Sequence, residues 1–217
     1  MAAAESAKKG NRVTVVEKMP RPARKVLISG KGRCNVTNAC FDLEELISNV
    51  PANPRFLYSA FSNFMPYDTI AFLADMGVET KIERGNRVFP VSDKAVDIVD
   101  ALVKNAKQCG AEIINDRAVA FEFENNLISA VVLENGGKIF CDAAAVCTGG
   151  KSYSSTGSTG DGYALAKSAG HSITEIRPCL VPLVCSNNFI PKLQGLSLKN
   201  ISIKLLKNEK VVYTDFG

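Results

Sequence analysis

Four short stretches of the 217-residue chain hold residue types that do chemistry. The β-branched run Val13–Val16 ends in an acid, Glu17, followed by Lys18. Ser29-Gly-Lys-Gly-Arg-Cys-Asn35 combines two glycines with two cations. Glycines let backbone N–H groups converge on an anion, and lysine and arginine add charge. The apolar run Ala143–Cys147 leads into Thr148-Gly-Gly150, and a strand that ends in glycines lets a ligand approach the backbone at the carboxyl edge of a parallel sheet. Gly157-Ser-Thr-Gly-Asp-Gly162 is a glycine-rich segment opening a helix, a form that cradles anions or cofactors. The plain readings are an α/β start without a nucleotide for the first stretch, a surface turn for the second and a flexible loop for the last, and only the combination carries weight.

Charge points the same way. Residues 1–38 hold nine of the 26 basic residues and two acids, Glu5 and Glu17, so this stretch carries +7 and the rest −3. A local basic excess implies an anionic partner, either a phosphate-bearing cofactor or a nucleic acid. No Phe, Tyr or Trp falls in residues 1–38 to stack on bases, which argues against nucleic acid. Seven cysteines without a Cys-x-x-Cys pair, and a single histidine (His171), argue against a structural metal site and against chemistry that needs two histidines. The thiols read as reduced, cytosolic residues. Cys34, in the cationic loop, is the one whose pKa that charge would lower, although packing is the favoured role. His171 follows the end of a helix at Gly170 and reads as structural. No apolar run reaches the roughly 18 residues that span a membrane.

The elements that position these stretches read as α/β. Residues 1–9 are strong helix formers stopped by Gly10, and 12–16 is a strand. Helix, glycine, strand and terminal acid form the second half of a βαβ unit. In the dinucleotide fingerprint the glycine turn lies about 20 residues before the acid, so counting back from Glu17 places it before residue 1. Residues 18–38 read as loop, broken by Pro20 and Pro22. Helices follow within 42–78, Asp42 capping the first with Glu45 as its partner. Ser92 or Asp93 caps a long amphipathic helix whose apolar stripe runs from Ala95 to Ala106. Strands are expected at 111–114, at 117–124 and 127–135 as a hairpin, at 138–141, and fully buried at 143–147, with a helix at 162–169. From 179 the pattern turns to alternating strands, at 180–183, 197–206 and 210–214.

The order of Val13-Thr-Val-Val-Glu-Lys18, Lys25-Val-Leu-Ile-Ser-Gly-Lys-Gly-Arg-Cys-Asn-Val-Thr-Asn38, Thr148-Gly-Gly150 and Gly157-Ser-Thr-Gly-Asp-Gly-Tyr163 resembles a bacterial family of NAD(P)/FAD-dependent oxidoreductases, the BaiN-type or aminoacetone-oxidase-like flavoproteins. The resemblance covers essentially the whole chain, and Gly-Lys-Gly-Arg-Cys-Asn is its most specific part. It implies an incomplete FAD-binding Rossmann-like domain of the glutathione-reductase or fumarate-reductase kind over 1–178, with a helical insertion at about 42–78. The start of a β-rich second domain is expected over 179–217. It implies FAD as cofactor, NAD(P)H as a possible electron donor and a small-molecule substrate, in the cytoplasm, with no nucleic-acid or membrane partner.

Residue by residue, the resemblance assigns Glu17 to the adenosine ribose, and Lys18 with Gly30, Lys31, Gly32, Arg33, Cys34 and Asn35 to the pyrophosphate and flavin side. Val119 would pass the adenine. Thr148, Gly149 and Gly150 would approach the cofactor from a second βα crossing, and Gly160, Asp161 and Gly162 would line the cleft at a helix start. The implied activity is hydride transfer between a nicotinamide or substrate and flavin, including reduction of a conjugated C=C bond. No catalytic acid or base is named. The absent Gly-x-Gly-x-x-Gly turn and the abrupt C-terminus lead to the expectation of a truncated piece, and the alternatives are an inactive fragment or an anion- or nucleic-acid-binding module.

Overall fold

A computed structural model describes residues 1–178, 184–198 and 201–216. Two compact units divide the chain, Met1–Ile173 and Thr174–Gly217.

The first unit opens with α1 (Ala2–Lys8), an alanine-rich helix with Glu5 in its first turn and Lys8 in its last, each matching the helix dipole. Strand β1 (Thr14–Glu17) then pairs in parallel with β5 (Glu112–Asn115), Glu17 opposite Asn115. Between them lies α2 (Arg24–Ile28), a five-residue helix within the stretch expected to be loop. It starts after Pro22, and the run Arg-Lys-Val-Leu-Ile contains no helix breaker. A 3-10 turn (Ser29–Gly32) and β2 (Thr37–Asn38) follow.

The helical insertion is present as α3 (Leu43–Ser48), a 3-10 turn at Pro54–Leu57, α4 (Tyr58–Asn63) and α5 (Pro66–Asp75). Asp42 caps α3 as expected, its carboxylate accepting the Glu45 N–H at 2.8 Å. Strands β3 (Thr80–Glu83) and β4 (Arg87–Pro90) complete an antiparallel sheet in the order β2-β4-β3. Helix α6 (Ala95–Gln108) buries Ala95, Ile98, Val99 and Ala106 on one stripe. Its N-cap is Lys94, without a side-chain cap. Asp93 does not cap it, because Arg33 and Lys81 take its carboxylate; Ser92 Oγ accepts the Lys94 N–H at 3.3 Å.

The core joins Cys34, Leu73, Ala95 and Ile98, with Val26, Val36, Met76, Val78 and Leu102 packed around it. It therefore lies directly beneath the Gly30–Asn35 loop. Strands β6 (Ala118–Glu124), β7 (Leu127–Leu133) and β8 (Lys138–Phe140) form an antiparallel meander. Asn125 and Asn126 both adopt positive φ in the two-residue β6–β7 connection, as a tight hairpin turn requires. Helix α7 (Asp161–Ser168) packs on β6.

Residues 143–147 do not form the expected buried strand. They belong to no regular element, are exposed, and pair with no neighbouring strand among the described residues. A strand exists only through its ladder, and an apolar composition does not replace one. Cys147 is accordingly exposed rather than buried.

In the second unit, β9 (Ser202–Lys207) and β10 (Lys210–Phe216) form an antiparallel hairpin with a bulge between Val211 and Tyr213. The strand expected at 180–183 lies outside the described residues.

Candidate functional site

The carboxyl end of the β1–β5 pair is the natural place for a ligand in an open parallel sheet. Asn115, opposite Glu17, donates its amide to the carbonyls of Glu17 and Met19, both at 2.8 Å, and so fixes the turn that leaves β1. The Glu17 carboxylate accepts the Met19 N–H at 2.9 Å through Oε1, which orients the side chain at the strand end.

Lys18 reaches across 143 residues of sequence to Asp161, with Nζ 2.7 Å from Oδ2, and donates also to Thr159 Oγ1. Arg117, just before β6, grips the same carboxylate with two bonds of 3.1 Å and holds Glu134 with a third. Burial opposes the charged form of Asp161. Hydrogen bonds from Arg117, Lys18 and Thr159 outweigh it and hold the carboxyl at about 2. The guanidinium of Arg117 is raised above its ordinary value, first by Asp161 and then by Glu134.

Glycine is required where segment 148–162 folds onto this corner. A Cβ on Gly162 would stand 2.4 Å from Thr148 Oγ1 and 2.9 Å from Val146 Cγ1. One on Gly157 would stand 2.7 Å from Met19 Cγ, and one on Gly160 2.8 Å from Lys151 Cγ. Gly149 has a positive φ and packs beside the buried Ser158. The Gly30–Asn35 loop is linked to the same segment through α2, where Lys25 Nζ donates to the Ser152 carbonyl at 2.6 Å.

Of the expected site residues, Lys18, Thr148, Gly149, Gly160, Asp161 and Gly162 thus meet at or beside one corner, with Glu17 next to Lys18 and Gly150 beside the Tyr163 hydroxyl. Val119 is half-exposed at a β-bulge two residues after Arg117. In the loop, Gly30, Lys31, Gly32 and Cys34 all have positive φ, and Lys31 is exposed. Arg33 is engaged by Glu83 and Asp93. Asn35 Oδ1 accepts the Val88 N–H at 3.2 Å. Cys34 is buried, and burial pushes its thiol up, with Ser29 opposing; the lowering expected from the nearby cations does not occur. The Arg33 charge is spent on carboxylates, while the Cys34 sulfur lies in the core. His171 lines a separate apolar cavity of about 430 Å³ with Phe121, Phe123, Ile128 and Val146. Arg117, Thr159 and Ser152 were not anticipated, because pairing residues 18 and 161 depends on the fold and leaves no local signal.

No group of three or more metal-ligating side chains occurs among the described residues, and none of their helices is long and apolar enough to cross a membrane.

An acid at the end of a parallel strand, faced by a glycine-rich helix start and a second glycine loop, defines a Rossmann-like domain of the dinucleotide-binding class. The chain belongs to the HI0933-like protein Rossmann domain family, whose model matches residues 1–214. It is 29% identical over 208 residues to a 3-dehydro-bile acid delta(4,6)-reductase of Clostridium scindens, covering 94% of this chain and 49% of that protein. It is 29% identical over 195 residues to a ribosomal RNA dihydrouridine synthase of Escherichia coli, covering 87% of this chain and 46% of that protein. The Haemophilus influenzae protein of the same name is 30% identical over 201 residues, covering 90% and 49%. The chain spans about half the length of these curated relatives.

Proposed function

We propose that this chain is the FAD-binding portion of a flavin-dependent oxidoreductase. The observation that carries the reading is the corner where Glu17 ends β1 and the glycine segment 157–162 folds against Lys18 and Met19. Glycines there let the segment pack directly on Met19, Lys151 and Thr148, which brings the start of α7 to the end of β1, a place that suits a pyrophosphate. Glu17 Oε1 is oriented by Met19 N–H, and its carboxylate would accept the hydroxyls of an adenosine ribose. Lys18, Thr148–Gly150 and Gly160–Gly162 would border the phosphates, Val119 the adenine, and Gly30–Asn35 the flavin side. When bound, the flavin supplies two-electron acceptance and donation. The protein's own part is to bind it, orient it and exclude water.

Reduction of a small molecule with a conjugated C=C bond extends the reading, supported by the name of the Clostridium relative, and NAD(P)H as electron donor belongs to the same proposal. Cytoplasmic location belongs to the same reading. The dihydrouridine synthases among the relatives give RNA as a second substrate class. The direct test is FAD titration of the purified protein, followed by visible absorption and flavin fluorescence. Saturable binding is expected, weakened about tenfold or more in Glu17→Gln through loss of charged hydrogen bonds. No binding by the protein, or equal binding by the variant, would refute the assignment.

A further inference from the structure

The family resemblance assigns Arg33 to the pyrophosphate and flavin side, but its contacts give it other work. Nε donates to Asp93 Oδ1 at 2.9 Å, Nη1 to Glu83 Oε2 at 3.1 Å, and Nη2 to both carboxylates. Its guanidinium carbon lies 4.0 Å from the centroid of the Phe89 ring, so one face is covered as well. Lys81 closes the cluster, with Nζ 2.8 Å from Asp93 and 3.5 Å from Glu83. Two cations and two carboxylates leave no net charge there to attract a phosphate.

The same contacts fix the backbone of the loop. Phe89 is held on its face by Arg33 and approached at its edge by Gly30, where a Cβ would come within 3.1 Å of Cε1 and 2.8 Å of the Asn35 nitrogen. One residue beyond the cradle, the Val36 N–H donates to the Val88 carbonyl at 2.8 Å. Lys31 and Cys34 sit in the left-handed region, which residues with a Cβ hold only when their surroundings over-determine it.

We propose that Arg33 is a positioning residue: clamped by Glu83 and Asp93 over Phe89, it holds Gly30–Asn35 in the shape that receives the cofactor, and does not touch the cofactor itself. The proposal rests on the reading of that loop as part of a flavin cradle. It makes Glu83 and Asp93, which lie outside the loop, matter to cofactor binding through Arg33.

Two measurements test it. The first is limited trypsin digestion of the protein without flavin, following cleavage at Lys31–Gly32. Glu83→Gln and Asp93→Asn are expected to speed that cut about fivefold or more, as coupled contacts are lost. In the unaltered protein, 1 M salt should act in the same direction, since these pairs are partly open to solvent. The second measurement is FAD affinity and the position of the bound flavin's visible band. Arg33→Lys, Glu83→Gln and Asp93→Asn should each weaken binding about 3- to 30-fold and shift the band alike, with Arg33→Lys/Glu83→Gln no worse than the weaker single variant.

If only Arg33→Lys weakens binding, Arg33 contacts the cofactor and the proposal is overturned. Unchanged cleavage in both carboxylate variants overturns it too. Faster cleavage with unchanged affinity and spectrum reduces the cluster to a purely structural staple. If the unaltered protein takes up no FAD while the variants are cut faster, the flavin reading itself fails, and the role in cofactor binding falls with it.

Discussion

Asp161→Asn isolates the electrostatics of the β1–α7 corner. Asparagine keeps the shape and loses the charge that faces Lys18 and Arg117. The carboxyl drops from its ordinary 3.8 to about 2, and at about 1.4 kcal/mol per unit this is about 2.5 kcal/mol of pH-dependent stability. Asp161 and Lys18 are well shielded, at 14% and 21% side-chain exposure, but Arg117 is 42% exposed, so solvent screening lowers the figure to about 1.5 kcal/mol. The sign is fixed by the direction of the shift. A carboxyl with a depressed folded-state pKa stabilises fully above its unfolded pKa of 3.8, and the contribution is lost as pH falls through about 2. Urea unfolding of protein and variant should therefore differ by about 1.5 kcal/mol at pH 7, with the gap roughly halved near pH 3. A gap below about 0.5 kcal/mol at pH 7, in the range of an exposed pair, would refute the argument. So would a gap that does not change between pH 7 and 3.

Gly162→Ala should lower stability by about 1–3 kcal/mol, because its Cβ would overlap Thr148 Oγ1 and Val146 Cγ1 where φ itself is permissive. Thermal melting checks this, and pairing it with Thr148→Ala should recover part of the loss. Iodoacetamide labelling followed by mass spectrometry should modify Cys147 and Cys185 first. Cys34 and Cys40, at 5% and 6% exposure, should label only on unfolding. Rapid labelling of Cys34 at neutral pH would contradict its burial and its raised pKa.

What was legible in the sequence was local. The 3.6-residue stripe of Ala95, Ile98, Val99 and Ala106 specifies α6 without further information, and two adjacent β-rich runs at 117–124 and 127–135 mark the hairpin. The Asp42 cap follows from its neighbours three residues on. Helix α2 within 18–38 was missed on local grounds, and two other misreadings turned on partners remote in the chain. Asp93 has the right type to cap α6 but stands one residue before the N-cap Lys94, and two cations from elsewhere take its carboxylate. Ala143–Cys147 has the composition of a buried strand, and the ladder that would make it one is not among the described residues.

The basic segment shows the same limit in the site. Its +7 charge implied an anionic partner, and charge counting along the chain cannot tell a docking face from a set of internal ion pairs. In three dimensions, Lys18, Arg21 and Arg33 meet Asp161, Asp100, Glu83 and Asp93, acids drawn from the remainder that carries the compensating −3. Lys8 pairs within its own helix, and Lys25 is held by Ser152. Three of the nine cations therefore tie the first 38 residues to β3, α6, α7 and Asp93, and Lys18 and Arg33 among them act at the cradle. An anion at this corner would be recognised mainly by backbone N–H groups that glycines expose, with charge in a supporting role. Binding there should accordingly depend only weakly on salt, whereas a nucleic acid held by free lysines and arginines would show a steep logarithmic dependence.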